Sequence, residues 1–199
     1  MSFIQLCTPC NFGLESILKR EITDLGFEIT SVTDGRIDYL SNEKGICKAN
    51  LWLRTGERVL IKVGEFDATT FEELFQQTKS LPWHQWIPKD GAFPAAKASS
   101  VRSKLFSTSD VQSIVKKAVV ESLKLKYNIS WFSESKATFP IHIFIFKDKV
   151  TLYLDTTGAS LHKRNYRAVG SAAPIRETLA AAMISLTPWK EGRILIDPF

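Results

Sequence analysis

The stretch ITSVTDGRIDYL (Ile29–Leu40) predicts the fold of the first part of this 199-residue chain. Two short runs rich in β-branched and aromatic residues flank Asp34-Gly35, a pair that favours a tight hairpin turn. Outward from this hairpin, Phe3–Cys7 reads as a strand, and apolar residues at helical spacing follow Phe12 until Gly26. Glu43–Leu53 has helical character and Arg58–Val63 reads as a strand. The order β-α-β-β-α-β predicts a ferredoxin-like unit over residues 1–65.

The middle of the chain predicts a second mixed α/β unit over residues 66–156. Its expected elements are a helix at Thr70–Thr78 that Thr69 or Thr70 could cap, a strand at Ala92–Val101 and a long helix at Ser109–Lys126. A hairpin of Phe139–Phe146 and Lys149–Asp155 then turns at Lys147-Asp148. The predicted fold class is therefore α+β.

The remaining residues, 157–199, change character. A basic connector leads to a predicted helix that begins at Pro174 and ends near Leu186, because a proline costs nothing at the first helical position. Arg193–Ile196 then reads as an apolar strand before Asp197-Pro198-Phe199. Helix, loop and apolar strand ending in an acidic residue is how a Rossmann-like domain commonly opens. Since one strand and one helix cannot cover a parallel sheet, we expect a truncated chain.

Composition excludes several classes of protein. The apolar fraction of 44% and the charged fraction of 24% are those of a globular protein and exclude a disordered or collagen-like chain. No apolar run is long enough to cross a membrane, and the N-terminus does not resemble a secretory signal. Three cysteines cannot all pair within the chain, which favours a reducing, cytoplasmic location.

The net charge of +5 is distributed unevenly. Residues 1–96 carry 10 Lys/Arg against 13 Asp/Glu, whereas residues 97–127 carry 7 against 2. Such a basic segment favours a polyanion-binding surface, with a solvated basic face as the open alternative. Lys97, Arg102 and Lys104 lie between a predicted strand and helix, and the hydroxyl of Ser103 adds a directional donor for phosphate. Lys116 and Lys117 are weaker candidates because exposed helix faces are commonly rich in lysine.

Three segments, in this order, resemble one family. They are LHKRNYR (Leu161–Arg167), APIRETLA (Ala173–Ala180) and ILIDPF (Ile194–Phe199). They resemble the THUMP-containing, S-adenosylmethionine-dependent RNA methyltransferases, above all the bacterial enzymes that methylate guanine N2 in large-subunit (23S) ribosomal RNA. Such proteins are often labelled N6-adenine-specific DNA methylases. The segment from Lys97 through Arg102–Ser107 and the following helix also look like the THUMP part of that family.

The resemblance implies a domain order and a partner. Residues 1–65 would be the ferredoxin-like domain, 66–156 the THUMP domain that binds structured RNA, and 157–199 the connector and the start of a class I methyltransferase domain. The family's glycine loop and its Asn/Asp-Pro-Pro-Tyr motif do not follow before residue 199, so no catalytic residue is assigned and the chain by itself is expected to be inactive. A stand-alone RNA-binding module and a DNA adenine methylase remain as alternatives, the latter disfavoured by the THUMP-like part.

The resemblance also implies sites. S-adenosylmethionine would be contacted in the intact protein by the helix start and the strand end, with simple helix and turn capping as the alternative. RNA or the methyltransferase surface would be contacted by the connector, whose charges could instead face water. The implied cofactor residues are Pro174, Ile175, Arg176, Glu177, Thr178, Asp197 and Pro198, and the implied connector residues are Lys163, Arg164 and Arg167.

Two further motifs have structural interpretations. Trp83 and Trp86 could stack on a base, but a tryptophan pair between prolines more often packs a loop onto a core. Cys7-Thr8-Pro9-Cys10 has the spacing of a metal or redox motif. Four zinc ligands cannot be assembled around it, so we interpret the spacing as chance and expect no metal.

Overall fold

The computed structural model describes residues 3–164 and 174–196. These residues fall into two compact units, the first drawn from Met1–Val59 and Thr157–Phe199 and the second spanning Leu60–Thr156. The predicted positions Arg167, Asp197 and Pro198 lie outside the described residues.

The first unit is a three-stranded antiparallel sheet covered by two helices. Its elements before residue 60, in chain order, are β1 (Ile4–Pro9), α1 (Glu15–Asp24), β2 (Glu28–Thr33), β3 (Arg36–Ser41) and α2 (Glu43–Trp52). The strand order is β2-β3-β1, and β3 pairs antiparallel with both neighbours. Both helices pack on this sheet and bury a core that includes Leu6, Leu18, Ile22, Ile37 and Tyr39.

The hairpin predicted from Ile29–Leu40 is confirmed. Gly35 has a φ of +74°, the left-handed conformation that such a turn requires and that glycine adopts at little cost. The carboxylate of Glu15 accepts hydrogen bonds of 2.7 Å from Gly35 N–H and 2.9 Å from Gly13 N–H. These backbone donors, Gly35 first, lower the pKa of Glu15. The start of α1 is thereby tied to the hairpin turn.

The second unit is a four-stranded sheet with two helices packed together. Its elements are β4 (Leu60–Asp67), α3 (Phe71–Ser80), a 3-10 turn (Trp83–Gln85), β5 (Ala95–Val101), α4 (Thr108–Tyr127), β6 (Ile141–Phe146) and β7 (Lys149–Asp155). The strand order is β4-β7-β6-β5; β5 and β6 are parallel, and the other pairs are antiparallel. The long helix α4 is the crossover that a parallel pair requires.

Alternation along β6 fixes which face of this sheet meets the helices. Ile141, Ile143 and Ile145 are buried, whereas the intervening residues are partly exposed. Helix α4 buries Val111, Val115, Ala118, Val119 and Leu123, the apolar side predicted from its spacing. The other face of the sheet therefore carries His142, Phe144 and Phe146.

Local signals in this unit are confirmed. Thr70 caps α3 in a capping box with Glu73, in which each side chain bonds the other's backbone. Trp83 is fully buried and its Nε1–H donates to the Thr78 carbonyl at 2.7 Å, so it is a core residue, as we interpreted it. The α+β class is likewise confirmed by the largely antiparallel strands and the helices that pack on them in each unit.

Two sequence-based expectations differ from the structure. The last helix, α5 (Glu177–Leu186), begins three residues later than predicted, because Arg176 is extended (φ −61°, ψ 141°) and serves as the N-cap. Residues 193–196 are not a β-strand; a strand needs a hydrogen-bonding neighbour, and no described strand pairs with them.

Candidate functional site

The loop Arg102–Lys104, which follows β5, is held by hydrogen bonds to the β6–β7 turn. The Ser103 hydroxyl donates to the Val101 carbonyl at 2.9 Å and accepts from the Asp148 N–H at 3.0 Å. In return, Asp148 Oδ1 accepts a 2.7 Å hydrogen bond from the Lys104 N–H. A loop bonded in this way is ordered before any ligand arrives, which lowers the entropy cost of binding.

Arg102 has a φ of +52°, which is uncommon for a residue other than glycine or asparagine. A left-handed conformation costs an L-residue about 1–2 kcal/mol. The hydrogen bonds of the neighbouring Ser103 and Lys104 hold the backbone in this conformation. Strain of this kind clusters at functional sites, so it adds weight to the prediction made from charge.

The side chains of Lys97, Arg102 and Lys104 are exposed. Within residues 3–164 and 174–196, no acidic side chain is within 4 Å of their charged groups. Lys97 is opposite His142 in the register of β5 and β6 and therefore lies on the sheet face away from the helices. The structure thus brings three of the predicted residues to one edge of the second unit as unpaired cations.

Lys116 differs from this group. Its ammonium donates to the Phe93 carbonyl at 3.1 Å, forms a 2.6 Å ion pair with Glu134 and lies 3.7 Å from the centroid of the Phe93 ring. Three partners of this kind give Lys116 a structural role, and its availability to RNA is correspondingly reduced. Lys117, one residue later, is exposed, and its ammonium lies 5.8 Å from the centroid of the Phe75 ring.

The connector contains a second basic residue with structural bonds. Arg164 donates to the carbonyls of Asn50 (2.8 Å), Leu51 (2.7 Å) and Leu53 (2.6 Å) and to that of Leu161 (3.2 Å). The last carbonyls of a helix have no partner within the helix, and a cation there is also favoured by the helix dipole. Arg164 therefore caps α2, whereas its neighbour Lys163 is exposed.

The candidate cofactor residues separate into two groups. Pro174, Ile175 and Arg176 are exposed in an extended segment that leads into α5. Thr178 is only 1% exposed, and its hydroxyl donates to Glu57 Oε1 at 3.1 Å. Thr178 therefore packs within its own unit, which its position in the family-like motif did not indicate.

Glu57 forms a cluster that sequence analysis missed. Besides Thr178, its carboxylate has Arg176 Nη1 at 4.0 Å and His162 Nδ1 at 3.4 Å. The Leu161 N–H also donates to the Glu57 carbonyl at 3.0 Å. Glu57 joins the connector and the start of α5 to the loop after α2, across more than a hundred residues of sequence. No local pattern marks a contact of this length.

The cysteine motif has no feature of a functional site. Cys7 and Cys10 are buried, and Cys47 is exposed. Burial, reinforced by the carboxylates of Glu15 and Glu57, raises the pKa of the Cys10 thiol to about 11. The thiolate form that binds metal or attacks disulfides is therefore disfavoured.

The described part of the chain contains no cluster of three or more potential metal ligands among His, Cys, Asp and Glu. None of the described helices is both long and apolar enough to cross a membrane.

Models of three protein families match consecutive parts of the chain. The model of the RlmL ferredoxin-like domain matches residues 5–60, that of the THUMP domain residues 68–155, and that of the RMKL-like methyltransferase domain residues 164–199. The predicted succession of ferredoxin-like unit, THUMP domain and start of a methyltransferase domain is confirmed by these matches.

Similar proteins support the same assignment. The chain is 44% identical over 196 residues to the "Putative RNA methyltransferase YpsC" of Bacillus subtilis, covering 98% of this chain and 50% of that protein. It is 29% identical over 196 residues to the ribosomal RNA large subunit methyltransferase K/L of Desulfotalea psychrophila, covering 95% of this chain and 27% of the relative. The chain thus spans about half the length of YpsC and about a quarter of the length of the K/L relative.

Solved structures share the fold. A possible methylase from Clostridium difficile 630 superposes with a TM-score of 0.95 at 56% identity, covering 99% of this chain and 52% of that protein. The structure of SMU.472, described as "a putative methyltransferase complexed with SAH", has a TM-score of 0.87 at 39% identity, covering 95% of this chain and 50% of that one.

Proposed function

Because the chain belongs to the THUMP-domain RNA methyltransferases and carries their N-terminal part, we propose that it presents RNA to a methyltransferase domain that modifies guanine N2 of large-subunit ribosomal RNA. The observation that carries this proposal is the loop Arg102–Lys104, which is held by Asp148 and displays unpaired cations. We infer RNA as the nucleic acid from the similarity to YpsC, which is named as an RNA methyltransferase. We infer large-subunit ribosomal RNA from the similarity to the K/L methyltransferases.

The electrostatics of the second unit support RNA as the ligand. Lys97, Arg102 and Lys104 can donate charge-assisted hydrogen bonds to phosphates without first breaking an ion pair with another described residue. The Ser103 hydroxyl already donates within the loop, so we assign it the role of holding Arg102 and Lys104 in place. Contacts to phosphates position a nucleic acid without reading its sequence, which suits recognition of a folded RNA by shape.

The remaining basic candidates have smaller roles in this proposal. Lys117 and Lys163 extend the positive surface of their respective units, since both are exposed. Lys116 and Arg164 act mainly through the bonds that they already make within the protein. Arg167, outside the described residues, keeps its predicted role as a contact of RNA or of the methyltransferase surface.

The start of α5 fits a cofactor contact in part. Pro174, Ile175 and Arg176 are exposed next to the first turn of a ten-residue helix, where the positive end of the helix dipole favours a carboxylate such as that of a methionine moiety. Glu177 belongs to the same turn, whereas the buried Thr178 would support the segment through Glu57. Asp197 and Pro198 remain proposed contacts. S-adenosylmethionine, when bound, supplies the methyl group.

Residues of this chain contribute to the reaction by positioning. A base that is modified on its exocyclic amine must leave its stack, and an enzyme that holds the surrounding RNA lowers the cost of orienting the amine. We assign that holding role to residues 1–156 and the chemical step to a domain that begins after the connector.

Binding and product analysis test this proposal. The 199-residue chain should bind a structured fragment of large-subunit ribosomal RNA more tightly than duplex DNA of equal charge, with an affinity that falls steeply with salt. A triple charge reversal at Lys97, Arg102 and Lys104 should flatten that salt dependence, whereas reversal of the exposed Lys19, Arg20 and Lys44 in the first unit is the matched control. Equal binding by both triple variants and the parent chain would contradict the proposal.

The chemistry requires a protein in which this chain precedes a complete methyltransferase domain. Incubated with labelled S-adenosylmethionine, such a protein should convert guanosine of large-subunit ribosomal RNA to N2-methylguanosine. N6-methyladenosine in DNA as the product would instead establish the adenine methylase alternative. RNA binding without methyl transfer to any substrate would favour a stand-alone binding module.

A further inference from the structure

An aromatic side chain is exposed at the corner of the sheet next to the basic loop. Phe146, the last residue of β6, is 40% exposed, and its ring is stacked at 15° and 6.4 Å on that of Phe144. Lys147 Nζ lies 5.3 Å from the centroid of the Phe146 ring. Phe146 therefore combines an apolar ring, flanked by Phe144, with a cation over that ring whose long, exposed side chain an arriving base would displace.

The same corner carries the start of the Arg102–Lys104 loop. Phe146 is opposite Val101 in the register of β5 and β6, and Val101 is 43% exposed. The Lys147 N–H donates to the Val101 carbonyl at 3.2 Å, so the turn after β6 is bonded to the residue that precedes Arg102. An exposed aromatic ring thus lies at the same end of two paired strands as the loop that carries Arg102 and Lys104.

We propose that this corner binds an unpaired RNA base, which stacks on Phe146 while Arg102 and Lys104 bind the flanking phosphates. This inference rests on the proposed function and specifies its substrate class. The faces of a base inside a continuous helix are covered by its neighbours, so no internal paired base can stack on a protein ring, whereas an unpaired base can. The RNA that this chain recognises therefore contains an unpaired nucleotide beside a helix, and a continuous duplex does not satisfy the site.

Charge and apolar surface together select this occupant. A peptide that covered Phe146 and Val101 would need acidic residues at two flanking positions, whereas any RNA strand places phosphates on both sides of each base. Stacking accepts every base because each has a π face, so the corner recognises an unpaired nucleotide and not a sequence. The stack of Phe144 behind Phe146 keeps the ring in place before RNA arrives.

Two RNA hairpins of equal length and charge test the inference with the 199-residue chain. One has a single unpaired 2-aminopurine in its stem, and in the other the 2-aminopurine is paired with uridine. The parent chain should bind the first hairpin about tenfold more tightly and quench its fluorescence, as expected when one base stacks on an aromatic ring. Phe146→Leu should lose both the preference and the quenching, and Phe146→Tyr should retain both.

Two control variants separate the stacking from the proposed function. Phe12→Leu changes a phenylalanine that is 82% exposed in the first unit and should bind as the parent does. Lys104→Ala should weaken binding to both hairpins equally. If Phe146→Leu keeps the preference, or if the parent chain has none, the stacking site is refuted while a Lys104 effect still supports RNA binding. If no variant or parent binds either hairpin above its affinity for duplex DNA, the RNA-binding function itself fails, and the stacking site with it.

Discussion

Asp148 Oδ1 accepts a hydrogen bond of 2.7 Å from the backbone N–H of Lys104, which lies 44 residues earlier in the sequence. Asp148 is in the β6–β7 turn, where its φ of +63° is one that aspartate and asparagine tolerate better than most residues. An acidic side chain next to a proposed phosphate-binding loop would repel the ligand if it were not engaged by the backbone. The bond indicates that Asp148 shapes the loop.

Replacement of Asp148 should separate its charge from its hydrogen bond. Asp148→Asn keeps the oxygen acceptor and removes the negative charge, so RNA affinity should equal or exceed that of the parent chain. Asp148→Ala also removes the charge but leaves the Lys104 N–H without this acceptor, so it should bind RNA about three- to tenfold more weakly than Asp148→Asn and unfold about 1 kcal/mol more easily. Fluorescence anisotropy and thermal unfolding measure the two effects. Identical affinities for the two variants would show that the bond does not order the loop.

Substitution of Arg102 by glycine should weaken RNA binding without lowering the stability of the fold. Arg102→Gly relieves a left-handed strain of about 1–2 kcal/mol but raises the entropy of the unfolded chain, so the free energy of unfolding should be unchanged or rise by up to about 1 kcal/mol. RNA binding should nevertheless weaken, and the slope of log K against log salt should decrease by about 0.7–0.9 for the one lost phosphate contact. Arg102→Lys is the control, because it keeps the charge and the strain. A slope that Arg102→Gly leaves unchanged would remove Arg102 from the interface.

The sequence predicts the elements of this fold well because most of them follow from local signals. The Asp34-Gly35 turn, the capping box of Thr70 and the apolar spacing of α4 each involve residues a few positions apart. Hydrophobic periodicity and turn chemistry operate over that range. The hairpin of β6 and β7 is found for the same reason.

The candidate site was predictable only in part, because several of its bonds span long sequence separations. Charge clustering identifies Lys97, Arg102 and Lys104, but nothing local shows that Lys116 is bonded to Phe93 and Glu134. In the sequence, Arg164 looks like any arginine of an RNA-binding basic segment. Its carbonyl partners at the end of α2 are more than a hundred residues away, so no local pattern reveals them. Long cationic side chains serve either role, and only the position of carbonyls and carboxylates around them decides which.

Adjacent lysines on α4 should respond differently to the same substitution. Lys116→Ala removes an ion pair, a carbonyl contact and a close cation–π contact at Phe93, so it should lower the free energy of unfolding by about 1–2 kcal/mol. Lys117→Ala should change it by less than about 0.5 kcal/mol, as is usual for an exposed residue. Chemical denaturation of both variants provides the comparison. Equal stabilities would mean that the partners of Lys116 contribute nothing measurable.

The cysteines should show that the CxxC spacing has no redox role. At pH 8 a thiol reagent should modify the exposed Cys47 quickly, whereas Cys7 and Cys10 should react only after unfolding. The pKa of Cys10 is raised to about 11 from an ordinary value near 9, so the unfolded state loses this proton first. Stability should therefore be unaffected by Cys10 below pH 9 and should decline between about pH 9 and 11, with Cys10→Ala showing a smaller decline. Rapid modification of all three thiols in the folded chain would contradict this view.

Arg164 and Lys163 provide the sharpest contrast between a structural and a binding cation. Arg164→Ala removes hydrogen bonds to the carbonyls at the end of α2, so it should lower the free energy of unfolding by about 1.5–3 kcal/mol, the range for bonds made by a charged donor. Arg164→Lys should recover only part of this loss, because an ammonium cannot reach several carbonyls with the geometry of a planar guanidinium. Lys163→Ala should leave stability unchanged and lower RNA affinity modestly if the connector lies on the RNA path. Denaturation curves and RNA titrations of the three variants decide between the roles. A stable Arg164→Ala variant with weakened RNA binding would return Arg164 to the RNA interface.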